Sequence, residues 1–458
     1  MCSSPISDAA GGRNRPGCAA ATCVAGMKRY GNVSSGHQIQ STIFYTSHDQ
    51  LDRTPGRRIY GSNTFPDFRR VRSPPGSIST GFQARCHQIM SEIESKAASP
   101  IGLIDCDLHH GVVEIEDLFP YLPGHYVEYV KDFGSMMPGL VYTNLPKGGC
   151  RAELWEHTET HPSSNIELAR RHHLDEYGID VALLTGVTVY GAAVHPDADF
   201  GAAMCRAFND WTLETWIKAD GRFRASVAIA PSDPKQAAAE IRRIGSRPEV
   251  LQVIMPAGGR MPFGNRFYDP IYEAAQECRL PMCVHFGVEG AGFANAPTAA
   301  GYPSYYLEMR MARPQIAMAH VSSLICEGTF EKFPGLKFLF IEHDTFWVPG
   351  LMWHMDADWK AVRDYTPWVK RPPSEYIRDH VRFGCQPMEQ PPTRKDLKTF
   401  LEWLHADEIL VYASDYPHWD WESPDSVLPG VDARLKDRVF VETARELYGL
   451  DEHGKPCE

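Results

Sequence analysis

The chain has 458 residues, 43% of them hydrophobic and 23% charged, with a formal net charge of −12. That composition is ordinary for a soluble globular protein, and the length allows one large barrel or two to three average domains. The acidic balance argues against non-specific nucleic-acid binding, and no run reaches the roughly 18 apolar residues that a membrane helix needs.

The charge is uneven. Residues 1–89 carry 11 Lys and Arg against 4 Asp and Glu, which leaves 35 basic and 54 acidic residues for the remainder. The basic stretch is rich in Ser, Gly, Pro and Arg and lacks apolar periodicity, so residues 1–98 are expected to be a disordered extension or an extended arm. A transit peptide, a partner-binding arm and a start codon assigned too far upstream compete for it. Met90 opens MSEIESKAASPIGLIDCD, an ordinary lead-in to a first strand, and the third reading is favoured. Residues 99–450 then form the folded domain and 451–458 a short tail.

From Leu103 onward, short apolar runs alternate with helix-like segments. LIDCDLHH (103–110) is the first strand, and residues 111–162 are a long turn-rich insertion placed to wall a pocket. A helix over 166–178, ended by Gly178, precedes the second strand, IDVALLTG. The helix DFGAAMCRAFNDWTLETWIKAD leads to RFRASVAIA, the third strand. DPKQAAAEIRRIG starts with an Asp cap and a Pro in the first turn. EVLQVIMPAG is the fourth strand, DPIYEAAQECR a helix, and LPMCVHFG the fifth strand. After a helical stretch within 304–333 come LKFLFIEHD, the helix VPGLMWHMDADWKAVR, HVRFGCQP, the helix TRKDLKTFLEWLHA, and EILVYASDYPHWD, with a closing helix near 431–449. Continuous apolar runs are what parallel strands buried on both faces look like. Eight strand–helix repeats predict an α/β fold of the (β/α)8 TIM-barrel type, with an open doubly wound sheet as the alternative.

A barrel collects residues from the C-terminal ends of its strands into one site. Asp107 and His109, two apart on the first strand, point the same way. His285 ends the fifth strand, His343 the sixth, and Asp415 the eighth. Two carboxylates and two imidazoles (Asp107, His109, His285 and Asp415) suit one borderline divalent ion, Zn or Mn, with room for water or substrate. Asp415 and His343 are the expected proton-handling residues. Glu342 is expected to face away from His343 unless a bulge intervenes. Phe286, Arg310, Trp347, His418 and Trp419 are candidates for contact with substrate, each with an ordinary packing or surface role as its alternative. Tyr305 and Tyr306 belong to the same aromatic rim. His110 and His320 are expected to be structural.

The 12 cysteines include no C-x-x-C pair, and Cys106, Cys205, Cys283 and Cys326 sit in apolar runs. They predict reduced thiols in a cytoplasmic setting. The P-loop, dinucleotide-binding, H-E-x-x-H and G-x-S-x-G signatures are absent. No lysine ends the fourth strand, which favours one metal over a bridged pair.

Five segments carry a family likeness: IDCDLHH, MCVHFG, EGTFEKFPGLKFLFIEHD, GLMWHMDADW and ILVYASDYPHWD. Over roughly residues 100–450 the chain resembles the amidohydrolase-related family, around the aminocarboxymuconate-semialdehyde and γ-resorcylate decarboxylases. The resemblance implies a distorted (β/α)8 barrel of the metal-dependent hydrolase type, with one divalent metal on Asp107, His109, His285 and Asp415. Aspartate-x-histidine in the first strand and His343 after the sixth resemble the γ-resorcylate type and imply decarboxylation. The context of Glu342 and Asp344, the long insertion and the PHWD loop resemble less characterised members. Many members form dimers, and the Trp/Met-rich helix at 350–359 is a candidate face for that.

Three functions follow as expectations. The first is non-oxidative decarboxylation of a small aromatic or unsaturated carboxylic acid. The second is metal-dependent hydrolysis of an amide, ester or lactone. The third is a non-catalytic barrel scaffold. All three take a small molecule or protein partner rather than nucleic acid or membrane.

Overall fold

The computed structural model describes residues 100–139, 145–186 and 188–457; the expectations for residues 1–98 lie outside them. Eight strands form one parallel sheet in the order of the chain. They are β1 (Ile104–Leu108), β2 (Val181–Leu184), β3 (Phe223–Ala228), β4 (Val250–Pro256), β5 (Met282–His285), β6 (Phe338–Ile341), β7 (Val381–Gly384) and β8 (Leu410–Val411). All eight expected strands are present, seven of them trimmed by a few residues and the eighth reduced to Leu410–Val411. The ring is completed where Cys106 N–H donates to Tyr412 O (3.0 Å) and His109 N–H donates to Tyr416 O (2.8 Å). The result is a nearly closed (β/α)8 barrel.

The strand residues fill its interior. Every residue of β1, β2, β4, β5 and β6 is buried. Each large apolar side chain so buried stabilises the fold by about 1.5–3 kcal/mol relative to exposure. The helices cover the outside and start where the sequence marks them. Asp197 caps Ala198–Glu214 and Asp233 caps Pro234–Ile244, each accepting two backbone N–H groups of the first turn. The caps leave the strand ends free for chemistry, because the helix starts are satisfied locally.

Three local departures matter for the site. The β1–β2 register shifts between Asp105 and Leu108. The helix expected over 166–178 is α-helical at Ile166–Ala169 and then π-helical over Arg170–Asp175. The backbone after β6 turns left-handed at Glu342 (φ 63°) and Asp344 (φ 55°). The insertion after β1 folds into short helical turns and the helix Gly124–Phe133. Residues 451–457 turn back on the barrel, with Ile101 N–H donating to Glu452 O (2.9 Å).

Candidate metal centre and cavity

Four expected ligand residues meet at the C-terminal mouth. Asp107 comes from β1, His109 from just past it, His285 from the end of β5 and Asp415 from the loop after β8. All four are at most 1% exposed. Asp107 Oδ1 is 3.6 Å from His109 Nε2, and Asp107 Oδ2 is 3.4 Å from His285 Nε2. His109 Nε2 lies 2.9 Å from Asp415 Oδ1 but without hydrogen-bond alignment.

The surroundings aim these atoms at one point. His285 Nδ1–H donates to its neighbour's carbonyl, Phe286 O (2.6 Å), which leaves Nε2 facing Asp107. Thr185, just past β2, donates its hydroxyl to Asp107 Oδ1 (2.7 Å). Gln386, just past β7, donates to Asp415 Oδ2 (3.0 Å). Asp107 Oδ2, His109 Nε2 and His285 Nε2 remain buried with no hydrogen-bond partner. Buried polar atoms are normally satisfied, so three orphaned polar atoms converging within 4.8 Å fit a metal-binding role. Two nitrogens and carboxylate oxygens suit Zn or Mn. Asp415 adopts φ 62°, a conformation costing a non-glycine residue roughly 1–2 kcal/mol, and such strain concentrates at functional positions.

Above the ligands lies a cavity of about 360 Å3, within the range of small-molecule sites. His109, His285 and His418 form its polar base, and Phe286, Tyr190, Tyr306 and Trp419 supply aromatic wall. The insertion closes one side through Met137, Pro138, Leu145 and Gly148, where a wall was expected from its length. That side is tied to the loop after β8: Trp419 N–H donates to Gly149 O (2.8 Å), and Arg151 N–H donates to Pro417 O (3.0 Å).

Glu342 lines the cavity; its neighbour His343 does not. The left-handed turn at Glu342 breaks strand alternation and brings the carboxylate to the mouth. His343 is buried, donates Nδ1–H to Ile341 O (2.8 Å) and keeps Nε2 unpartnered. Its ring stands edge-on to Phe286, 6.4 Å between centres. Burial holds its pKa well below that of a free histidine, so it is neutral. Arg310 lies outside the wall, bound to Asp420 Oδ2 (2.7 Å) and set over Trp419. Trp347 is also outside it, donating to His343 O (2.9 Å) and packing edge-on against Phe383. Phe286, His418 and Trp419 are in the wall.

The electrostatics are dominated by carboxylates. Glu342, Asp415 and Asp420 also approach within 4.8 Å of one another. This second cluster is compensated by protein: Arg313 pairs with Glu342, and Arg310 with Asp420. Two of the three carboxylates are thus charge-paired within the protein, in keeping with a single metal. Burial and the charge of Asp415 still raise Glu342 to about 8, with Arg313 opposing them. Burial would lower His418, but Asp415 overrides it through charge and a 2.5 Å hydrogen bond, and His418 rises to about 9. His418 thus stands in the wall, bonded to a proposed ligand carboxylate.

Sequence reasoning passed over Glu342, Asp420, Tyr190, Thr185, Gln386 and Arg313. Thr185, Glu342 and Gln386 each follow a strand end, which was the available signal. His110 and His320 are structural as expected. His110 bonds Thr212 (2.8 Å), and His320 accepts from Phe263 N–H (3.1 Å) and donates to Ala257 O (2.9 Å). Cys106, Cys205 and Cys283 are buried free thiols, whereas Cys326, at a helix end, is exposed. Burial pushes the Cys106 thiol far above the usual range, which removes it as a nucleophile.

The sequence profile of the amidohydrolase family matches residues 104–450. The chain belongs to the amidohydrolase family. This amidohydrolase is 23% identical over 223 residues to a γ-resorcylate decarboxylase of Rhodococcus jostii (strain RHA1), a match covering 46% of this chain and 63% of that enzyme. It is 25% identical over 264 residues to a γ-resorcylate decarboxylase of Polaromonas sp. (strain JS666), covering 55% of this chain and 77% of the relative. The matched stretch thus spans under two thirds of the Rhodococcus protein. Among solved structures, the amidohydrolase shares its fold with a dihydroxybenzoic acid decarboxylase from Polaromonas sp. JS666 holding manganese and 2-nitroresorcinol. The TM-score is 0.53 at 17% identity, over 77% of this chain and 99% of the other.

Proposed function

We propose that this chain is a mononuclear metal-dependent carboxy-lyase that removes CO2 without oxidation from a small aromatic or unsaturated carboxylic acid. The observation that carries the proposal is the set of orphaned donor atoms on Asp107, His109 and His285 at the base of an aromatic-walled cavity, with Asp415 beside them. The decarboxylase relatives supply the reaction type. A divalent ion held by Asp107, His109, His285 and Asp415 would supply Lewis acidity and a template for the substrate's carboxylate and an adjacent oxygen.

The chain's own residues handle the rest. The bond between ring or chain carbon and carboxylate breaks with its electron pair left on that carbon, which must therefore receive a proton. Asp415 is placed to carry this proton, and His418, bonded to it at 2.5 Å, to restore it from bulk water. Such acid–base help is worth about 10²–10⁴-fold. Phe286, Tyr190 and Trp419 hold a flat acid by stacking and edge contact. Among the described residues, no lysine or arginine lines the cavity. A second substrate carboxylate would meet as counter-charge only His418, already paired through Nδ1 with Asp415, whereas a hydroxyl could donate to Glu342 or Asp420. The favoured substrate is accordingly a monocarboxylic acid carrying hydroxyl groups. His343, one ring removed from the wall, is given a supporting rather than a proton-donating role.

The test is to load the protein with Mn or Zn and incubate it with mono- and dihydroxybenzoates and unsaturated acids in D2O. Release of CO2 with deuterium on the carbon that lost the carboxylate supports the proposal. Water incorporation into an amide, ester or lactone, without CO2, would move the reading to the hydrolase that the same residues could build. A folded protein that takes up no metal and turns over nothing would indicate a scaffold. We further propose a cytoplasmic location, in keeping with the buried free thiols, and a homodimer. The exposed edge-to-face pair Trp353–Trp403 (5.6 Å), on Val348–Val362 and Arg394–Leu404, is a fitting face for it.

A further inference from the structure

Beneath the ligands lies a second polar cluster that the reaction does not use. Asp105, His173 and Ser414 are each fully buried and absent from the cavity wall. They come from three distant parts of the chain: β1, the π-helical turn Arg170–Asp175, and the residue before Asp415. Asp105 accepts four hydrogen bonds. Oδ1 receives the backbone N–H of Asp107 (3.0 Å) and of Ser414 (2.9 Å). Oδ2 receives the Ser414 hydroxyl (2.6 Å) and His173 Nε2–H (2.7 Å). Ser414 Oγ also accepts from Tyr416 N–H (3.1 Å), and Asp415 N–H donates to Asp107 O (3.1 Å).

One carboxylate thereby holds the backbone of Asp107 and of Ser414, the residue before Asp415; the side chains at 107 and 415 are the proposed carboxylate ligands. We infer that Asp105, His173 and Ser414 form a buried clamp that positions Asp107 and Asp415 for the metal, an inference resting on the ligand set proposed above. Three features support it. The clamp brackets Asp415 on both sides, at Ser414 and Tyr416, and so holds the left-handed turn at that residue. The register shift in β1 falls between Asp105 and Leu108, where a regular strand would continue past the clamp. The π-turn places His173, rather than a neighbouring residue, against Asp105, and such turns are frequent at functional sites. Groups that orient ligands typically change metal affinity about 10–100-fold when removed. These are positioning residues: they touch neither the cavity nor the proposed metal.

The experiment uses the full chain and reads metal affinity rather than turnover. Mn and Zn dissociation constants are measured by competition with a chelating dye for the parent, Ser414→Ala, His173→Gln and the double variant. The visible spectrum of the cobalt-loaded protein and the thermal midpoint of the metal-free protein are recorded alongside. The expected result is affinity weakened about 10–100-fold in each single variant, with an altered cobalt spectrum. The double variant should fall well short of the product of the two losses, because the residues act as one unit. Ser414→Ala deletes a single hydroxyl, so it decides the matter if His173→Gln does not fold. Folded variants with parental affinity and spectrum, losing only thermal stability, would overturn the clamp. So would losses that simply multiply. A parent chain that binds no divalent metal overturns the ligand assignment first, and the clamp with it.

Discussion

Arg313, at the start of the helix Arg313–Cys326 and 1% exposed, forms an ion pair with Glu342 in the cavity wall. The guanidinium also lies 3.8 Å from Asp344 Oδ1. Losing one partner of a buried pair strands the other charge, at a cost of about 3–5 kcal/mol. Arg313→Met is expected to lose less than that in urea unfolding near neutral pH, because Glu342, raised to about 8, takes up a proton instead of standing as a bare charge. Adding Glu342→Gln to it should recover a substantial part. Equal stability of parent and Arg313→Met would mean that the pair contributes nothing.

Glu342 and His343 give opposite expectations for activity. Glu342→Gln alters the group in the wall that accepts a substrate hydroxyl and should lower kcat/KM about 10–100-fold, the cost of losing a hydrogen bond to a charged group. His343→Gln, outside the wall, should cost less than about tenfold. The comparison needs only steady-state rates on whichever substrate the CO2 assay reveals, and the reverse order would return the proton to His343.

His285→Ala tests the metal site directly. Plasma mass spectrometry of the parent is expected to give about one Zn or Mn per chain, and of the variant almost none. Two ions per parent chain would contradict the assignment of Arg310 and Arg313 as the charge partners of the second carboxylate cluster.

Glu289 links stability to pH. It is 2% exposed, its Oε1 accepts from Gly287 N–H, and its Oε2 has no partner. Burial raises it from 4.5 to about 7. The folded state therefore holds the proton more tightly than the unfolded chain. Stability is lost as pH rises between those values, by roughly 3 kcal/mol in total. Glu289→Gln should match the parent near pH 5 and exceed it above about pH 8, read as the difference in thermal midpoint. A constant difference across pH would refute this.

The barrel was legible because its strands are apolar along their whole length, and the ligands because they fall at or just past the ends of three of those strands. What escaped the sequence depended on local backbone breaks. Alternation along FLFIEHD puts Glu342 away from the site, but two left-handed residues reverse it. Arg310 offered a free charge for a substrate carboxylate until Asp420, 110 positions later, was seen to claim it. His173 had the periodicity of any amphipathic helix, and nothing in that spacing encodes a π-turn. Long-range pairing and turn geometry are tertiary properties, and neither leaves a mark in a short window.

The proposed ligand Asp107 belongs to the first strand of the ring and Asp415 to the loop after the last, where Asp415 N–H closes on Asp107 O. During synthesis at about 5–20 residues per second, the stretch between them takes roughly 15–60 s to emerge. Over that interval the early half-site, Asp107 with His109, has no second carboxylate to hold an ion. Completion of the proposed ligand set is thus a late event in the life of each molecule, since Asp415 emerges after Asp107, His109 and His285.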